Sequence, residues 1–204
     1  MKHIRAFTLL ELLIVIAIIT VLAGLTIQVL GHVNRSAGIH RAKTEIAAIE
    51  TALENFKTDN GDYPRCSETD LLDASQHGGD NSLAISGSGV VPARSGSASL
   101  TLYVNLSGDT GLRGVTGTNA RVYMNFKSNM LYPRTPAGTA RTSDISAVID
   151  PFRDVYGYST IGSSTSALAT PSTPKGYNPT FDLWSEGGAV QYGVSGTASW
   201  ISNW

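Results

Sequence analysis

The stretch Ala6-Phe7-Thr8-Leu9-Leu10-Glu11-Leu12-Leu13-Ile14-Val15-Ile16 opens an apolar run that decides how the rest of the chain is read. Lys2 and Arg5 precede it, and no formal charge stands between Glu11 and Arg35. About 20 apolar residues in a helix cross the hydrocarbon core of a bilayer. Backbone polar groups in lipid must be paired internally, so the run is expected to be helical there. Basic residues ahead of it favour a cytoplasmic N-terminus, with the rest of the chain on the far side. A secretory signal peptide would have an apolar region of about 7–15 residues closed by a small-x-small site. This run is longer and carries Glu11 near its start. A buried core helix is the other alternative, but so one-sided a concentration of apolar residues is unusual for one. A single-span anchor fits best.

Glu11 is the exception within the run. A carboxylate at mid-bilayer costs about 2.5–3.5 kcal/mol on insertion scales. Two readings stand side by side. Glu11 lies near the headgroups and reaches water, or it takes a cation partner when the helix is buried among other helices. Nothing else in the run supplies a cation. A free α-amino group on Phe7 would, if the basic leader were cut off, and it would compensate the carboxylate in a poorly solvated bundle.

Composition narrows the class without naming a function. The chain has 204 residues, enough for one domain plus an anchor. Only 15% are charged, against about a quarter in ordinary globular chains. Fifteen Lys and Arg balance sixteen Asp and Glu, which argues against a nucleic-acid binder held by bulk charge. One cysteine, Cys66, makes no internal disulfide, and no Cys/His cluster has zinc spacing. No catalytic constellation is visible. His3, His32, His40 and His77 are scattered, no serine sits in a G-x-S-x-G elbow, and Gly87-Ser88-Gly89 lacks the lysine of a phosphate cradle. The chain is read as no enzyme, with no nucleic-acid partner.

Beyond the run, Ile39, Ala42, Ile46, Ile49, Leu53 and Phe56 recur at three- and four-residue spacing. That stripe predicts one face of an amphipathic helix. Arg41 with Glu45, and Glu54 with Lys57, suit a solvated face. Asp59-Asn60-Gly61 supplies a stop, and Pro64 confirms it. A helix from Phe7 to about Asn60 would be roughly 80 Å long. Gly24, Gly31 and Gly38 are its weak points.

The remainder is loop-rich between residues 67 and 147. Ser67 with Asp70 reads as a helix start followed by a short turn at Leu71-Leu72. Gln76 to Ser99 is rich in Gly and Ser and reads as an exposed loop. Leu100, Leu102, Val104 and Leu106 alternate with polar residues and predict a half-buried strand, as do Val122, Met124 and Phe126. Tyr156 and Tyr158 are expected on one face of a strand.

The segment from Ala6 to Ile16 resembles the N-terminal signature of type IV pilins and pseudopilins. Asp59-Asn60-Gly61-Asp62-Tyr63-Pro64 resembles the "DNGxYP" helix exit of major pseudopilins of type II secretion. Asp150-Pro151-Phe152-Arg153-Asp154-Val155-Tyr156-Gly157-Tyr158 resembles their "DPWGxPYxY" element, with Phe152 for Trp, Arg153 for Gly and Val155 for the second Pro. Phe181 to Ser185 looks like the next strand of that family, and Ile201-Ser202-Asn203-Trp204 like its ending.

The resemblance implies an α+β, pilin-like fold, a long N-terminal transmembrane and amphipathic helix packed on a small antiparallel β-sheet. It divides the chain into a leader (1–6), a transmembrane or filament-core half-helix (7–30), an amphipathic half-helix (31–60) and a periplasmic globular domain (61–204) with the 67–147 elaboration. It implies that a prepilin peptidase cuts between Ala6 and Phe7 and methylates Phe7; the family carries Gly where this chain has Ala6. It gives Glu11 a role in assembly. The implied partners are further copies in a helical filament, minor pseudopilins and an inner-membrane assembly platform, and the implied function is moving folded proteins across the outer membrane. A type IV pilin or minor pilin for adhesion, motility or DNA uptake is the alternative. A third reading, a single-span protein with a periplasmic binding domain, predicts no cleavage at Ala6.

The family also implies a calcium site in the C-terminal loop. Calcium takes six to eight oxygens, several usually from carboxylates. Between Ser185 and Trp204 the only carboxylate side chain is Glu186, so no calcium and no other metal or cofactor is expected.

Overall fold

The computed structural model describes residues 8–75, 82–85, 89–118, 120–135, 141, 143–164, 176–193 and 197–204; the side chains of 25–32, 190 and 198 lie outside that description. The chain forms two compact units, Met1–Gly38 and Ile39–Trp204.

Helix α1 runs from Leu9 to Asn60. Gly24, Gly31 and Gly38 are all helical within it. Its second half follows the expected stripe: Ala42, Ile46, Ile49 and Leu53 are buried, with Ile39 and Phe56 packed at the margins of the same core. Arg41 and Glu45 form the expected pair, Nε to Oε1 at 2.7 Å. Glu54 and Lys57 meet through a third side chain. Lys57 Nζ donates to the Tyr63 hydroxyl at 3.2 Å, and that hydroxyl donates to Glu54 Oε1 at 2.8 Å. The helix ends where the Asn-Gly pair places it. Gly61 adopts φ +88, a conformation open to glycine, and returns its N–H to the Lys57 carbonyl at 2.7 Å.

Residues 93–107 overturn the expected loop and strand. They form helix α2, Ala93–Ser107, capped behind by Gly108 at φ 68. Its buried residues include Ser95, Ala98, Ser99, Leu102, Tyr103 and Leu106, a three-and-four spacing that only a helix brings to one face. The alternation of Leu100, Leu102, Val104 and Leu106 misleads because half of the buried face is made of serine, alanine and glycine. The second expected strand is corrected too. The segment around Val122, Met124 and Phe126 forms no ladder among the described residues. The N–H groups of Tyr123 and Met124 instead both reach the Leu106 carbonyl, at 2.8 and 3.0 Å, and tie the segment to the end of α2. Ser67 to Leu71 form hydrogen-bonded turns in place of a helix start.

Among the described residues, two small antiparallel sheets complete the fold. Strand β1 (Leu131–Tyr132) pairs with β2 (Ala147–Val148). Strands β3 (Gly157–Ser159), β4 (Asp182–Ser185) and β5 (Ile201–Ser202) form a meander in the order β3-β4-β5, with Tyr158 opposite Leu183 and Trp184 opposite Ser202. A short helix α3 (Ala189–Tyr192) lies between β4 and β5. Tyr156 and Tyr158 share a face as expected. Their hydroxyls reach Glu45 Oε2 on α1 at 2.7 Å and the Pro64 carbonyl at 2.8 Å. The second half of α1 thus packs on the sheets across a core of Ile46, Ile49, Leu53, Tyr156, Tyr158 and Leu183. A separate cluster of Leu72, Ala74, Leu83, Ala98 and Trp184 joins α2 to β4 through three side chains ahead of α2, Leu72, Ala74 and Leu83. The architecture is α+β, a helix packed on small antiparallel sheets, as in pilin-like folds.

Candidate assembly site

The first helical turn explains how Glu11 is held. Thr8 stands just before α1, and its hydroxyl accepts the Glu11 N–H at 3.2 Å. The Glu11 carboxylate folds back so that Oε2 accepts the Thr8 N–H at 3.0 Å and the Thr8 hydroxyl at 3.0 Å. This is a capping box, in which an N-terminal threonine and a glutamate three residues on satisfy each other's exposed donors. Sequence reasoning read Glu11 as a charge in an apolar run with a role in assembly, and not as part of a helix cap. The T-x-x-E spacing of Thr8 and Glu11 was the signal for its second role. The cap aims the carboxylate toward the N-terminal side of the helix. Ala6 and Phe7, the expected cleavage and methylation residues, lie outside the described residues.

The helix that follows exposes its apolar side chains on every side. Leu9 is 88% exposed, and Leu10, Leu12, Leu13, Ile14, Val15, Ile16, Ile18, Ile19, Val21 and Leu22 are exposed as well. Monomeric soluble proteins rarely carry an apolar patch of this extent. A helix apolar all round needs cover all round, from lipid or from other helices. Its one hydroxyl among these residues, on Thr20, is satisfied within the helix by the Ala17 carbonyl at 2.8 Å. Among the described residues no helix is long and apolar enough to cross a membrane. The apolar stretch with described side chains, residues 8–24, is shorter than the roughly 20 residues a span takes.

The region where the family resemblance implies calcium is built differently from a metal cage. Sequence reasoning counted Glu186 alone; the fold adds carboxylates from the turn between Ile149 and Val155. Asp150 is fully buried, and both its oxygens are occupied. Oδ1 accepts the N–H groups of Phe152 and Asp154, each at 2.9 Å, and Oδ2 accepts the Ser185 hydroxyl at 2.6 Å. Burial pushes the Asp150 carboxyl up to about 7. Burial, and then the charge of Asp154, push Glu186 up to about 7 as well. Among the described residues no three His, Cys, Asp or Glu side chains are placed to hold a metal ion together. With the Asp150 oxygens engaged, the side chains of Asp154 and Glu186 by themselves offer fewer oxygens than the six to eight calcium takes.

Comparison with known proteins places the N-terminal region. The family model of the prokaryotic N-terminal methylation motif matches residues 1–27. The chain is 45% identical over 60 residues to the type II secretion system core protein G of Escherichia coli K12, a match covering 29% of this chain and 41% of that protein. The protein of that name from Pectobacterium carotovorum is 42% identical over 60 residues, covering 29% and 38%. That of Klebsiella pneumoniae is 39% identical over 64 residues, covering 31% and 46%. The matched region thus spans less than half the length of these curated relatives. No solved structure is a match. The chain therefore carries the N-terminal methylation motif of type IV pilin-like proteins, and its N-terminal region is similar to that of the major pseudopilin, type II secretion system core protein G.

Proposed function

We propose that the protein is a structural subunit of a pilin-like filament, the major pseudopilin type of a type II secretion system, and not an enzyme. The observation that carries this reading is the all-round apolar exposure of α1 from Leu9 to Leu22 directly behind the Thr8–Glu11 cap. Such a helix is complete only when lipid or like helices cover it, and the two covers can be exchanged. Within a bilayer, packing and interhelical hydrogen bonds drive helices together, since lipid tails are as apolar as leucine.

In this reading the chain waits in the inner membrane with residues 7–30 spanning it and the folded unit in the periplasm. A prepilin peptidase cuts between Ala6 and Phe7 and methylates Phe7. An assembly platform lifts subunits into the filament, where the Glu11 carboxylate meets the Phe7 amine of an adjacent copy. An amine brought beside a carboxylate in a water-poor bundle removes the cost of burying either charge alone. Minor pseudopilins complete the fibre, and its growth moves folded proteins across the outer membrane. We also propose that no calcium is resident, since the carboxylate a cage would need most is already engaged by three donors of its own chain.

Mass spectrometry of the assembled protein tests the reading at its root. The expected mass begins at a methylated Phe7. An intact Met1 leader in assembled material would favour a plain single-span protein and refute both pilin readings. Glu11→Ala is expected to insert and be cut, yet yield far less filament. Normal filament yield from that variant would remove the pairing role.

A further inference from the structure

We infer that Asn60-Gly61 is a site of spontaneous covalent modification, loss of the Asn60 amide as ammonia, and that the fold keeps it closed through the Tyr123 hydroxyl. The chemistry belongs to the residue pair. The Gly61 nitrogen gives up its proton and bonds to Asn60 Cγ, the Cγ–Nδ2 bond breaks, and ammonia leaves. Water then opens the five-membered imide at either carbonyl, giving aspartate or isoaspartate. One water is consumed and one ammonia released, with no change of oxidation state. Glycine hinders this attack least, because it places no side chain beside the attacking nitrogen.

In the folded chain both reacting groups are held away from this path. The Gly61 N–H donates to the Lys57 carbonyl at 2.7 Å. Asn60 is the last residue of α1, and its Nδ2 donates to the Phe56 carbonyl at 2.8 Å and to the Tyr123 hydroxyl at 3.0 Å. The Phe56 carbonyl lies one helical turn behind, while the attacking nitrogen lies one residue ahead. Reacting atoms must come within about 3–3.5 Å in the right alignment. The Asn60 amide therefore has to leave both acceptors before the Gly61 nitrogen can reach its carbon.

Tyr123 is the acceptor that comes from outside the helix, and it is fixed on several sides. Its own N–H reaches the Leu106 carbonyl at 2.8 Å. Its ring meets Phe56 edge to face at 5.2 Å. Two residues earlier, Arg121 pairs with Asp59 on α1 at 2.9 Å. A segment of the 67–147 elaboration thus closes over the end of α1. Beside it lies a cavity of about 450 Å³ lined by Asn55, Thr58, Asp59, Arg121, Val122 and Tyr123. Asn55 and Thr58 are exposed, so water, the second reactant, is at hand. The held position of the amide, and not a lack of water, is what slows the reaction. Isoaspartate would add a methylene to the backbone where the helix ends and remove the amide donor. A copy whose 121–123 segment has come away is marked permanently. The inference is independent of membrane anchoring and of filament assembly.

The test incubates the full chain in detergent, folded or in denaturant, at mildly alkaline pH. Peptide mass spectrometry follows conversion of amide to acid in the peptide that carries Asn60. The folded chain should convert more slowly by a factor on the order of ten or more, as closure by these hydrogen bonds requires. Y123F keeps the ring against Phe56 and removes the hydroxyl. It should convert about two- to tenfold faster than the folded parent, the change in rate that one ordinary hydrogen bond allows. Y132F removes a tyrosine hydroxyl bonded elsewhere, to the Gly89 carbonyl at 2.7 Å, and should convert at the parent's rate. Equal rates in the folded and unfolded parent would overturn the closure, and that comparison stands whether or not Y123F folds. Conversion of Y123F at the parent's rate, or of Y132F as fast as Y123F, would remove Tyr123 from its role.

Discussion

Asp150 shows what a single buried carboxyl does to this fold. It follows β2 by two residues, closes the turn through Phe152 and Asp154, and reaches across to Ser185 at the end of β4. Ser185 in turn accepts the Gly187 N–H at 3.1 Å, so one side chain organises two loops. Burial outweighs these hydrogen bonds and raises its carboxyl from the ordinary value of 3.8 to about 7. The folded chain therefore holds this proton to higher pH than the unfolded chain does. Its contribution is fully present below about pH 4 and is lost as the pH rises through about 7. Unfolding free energy should be lower at pH 8 than at pH 5, by about 2 kcal/mol. Glu186, also raised to about 7, acts in the same direction. Asp150→Asn keeps an acceptor for the two N–H groups and should lessen the slope, leaving the share that Glu186 contributes. Chemical denaturation at the two pH values, followed by tryptophan fluorescence, checks this. An unchanged slope in the variant would assign the effect elsewhere.

Among the elements, α2 depends on a serine that a hydropathy reading discounts. Ser99 is fully buried, accepts the Val148 N–H at 2.7 Å and donates to the Val148 carbonyl at 3.2 Å. Ser99→Ala leaves that strand N–H unpaired and should cost about 1–3 kcal/mol. Ser97→Ala, on the exposed face two residues earlier, should cost almost nothing; the difference in denaturation midpoints measures the contact. The same serines hid the helix. A three-and-four period is easy to see when leucine and isoleucine carry it, as at Ala42, Ile46, Ile49 and Leu53. It is invisible when Ser95, Ala98 and Ser99 carry half the face, and the alternate leucines then imitate a strand. The end of α1 was legible because Asn60-Gly61 states its own backbone geometry. Strands β3, β4 and β5 lie where aromatic and aliphatic residues concentrate. Strands β1 and β2, two residues each, leave no period to read. At the proposed assembly site the charge of Glu11 stood out against its apolar neighbours. Its cap depends on Thr8, whose role is a spacing and not a polarity.

At the scale of the whole molecule, the two units make opposite demands on their surroundings. The first leaves Leu9 to Leu22 uncovered. The second has a closed core, to which α1 contributes its own stripe from Ala42 to Leu53. A chain beginning at Ile39 therefore keeps every element of that core. It should stay in solution without detergent and unfold in one cooperative transition, with Trp184, Trp200 and Trp204 as internal reporters. This shortened chain also gives the cleanest test of the metal question. A resident calcium ion stabilises the folded state in proportion to its occupancy, so its removal lowers the melting temperature. Here Asp150 already satisfies its oxygens with Phe152, Asp154 and Ser185, and Glu186 is drawn toward its neutral form beside Asp154. A neutral carboxyl is a poor calcium ligand, and two remaining acids do not supply a cage. The melting temperature should be the same in millimolar calcium and in chelator. A rise with calcium that chelator reverses would show that backbone carbonyls complete a site the carboxylates do not, and it would return the C-terminal loop to the calcium site that the family resemblance implies.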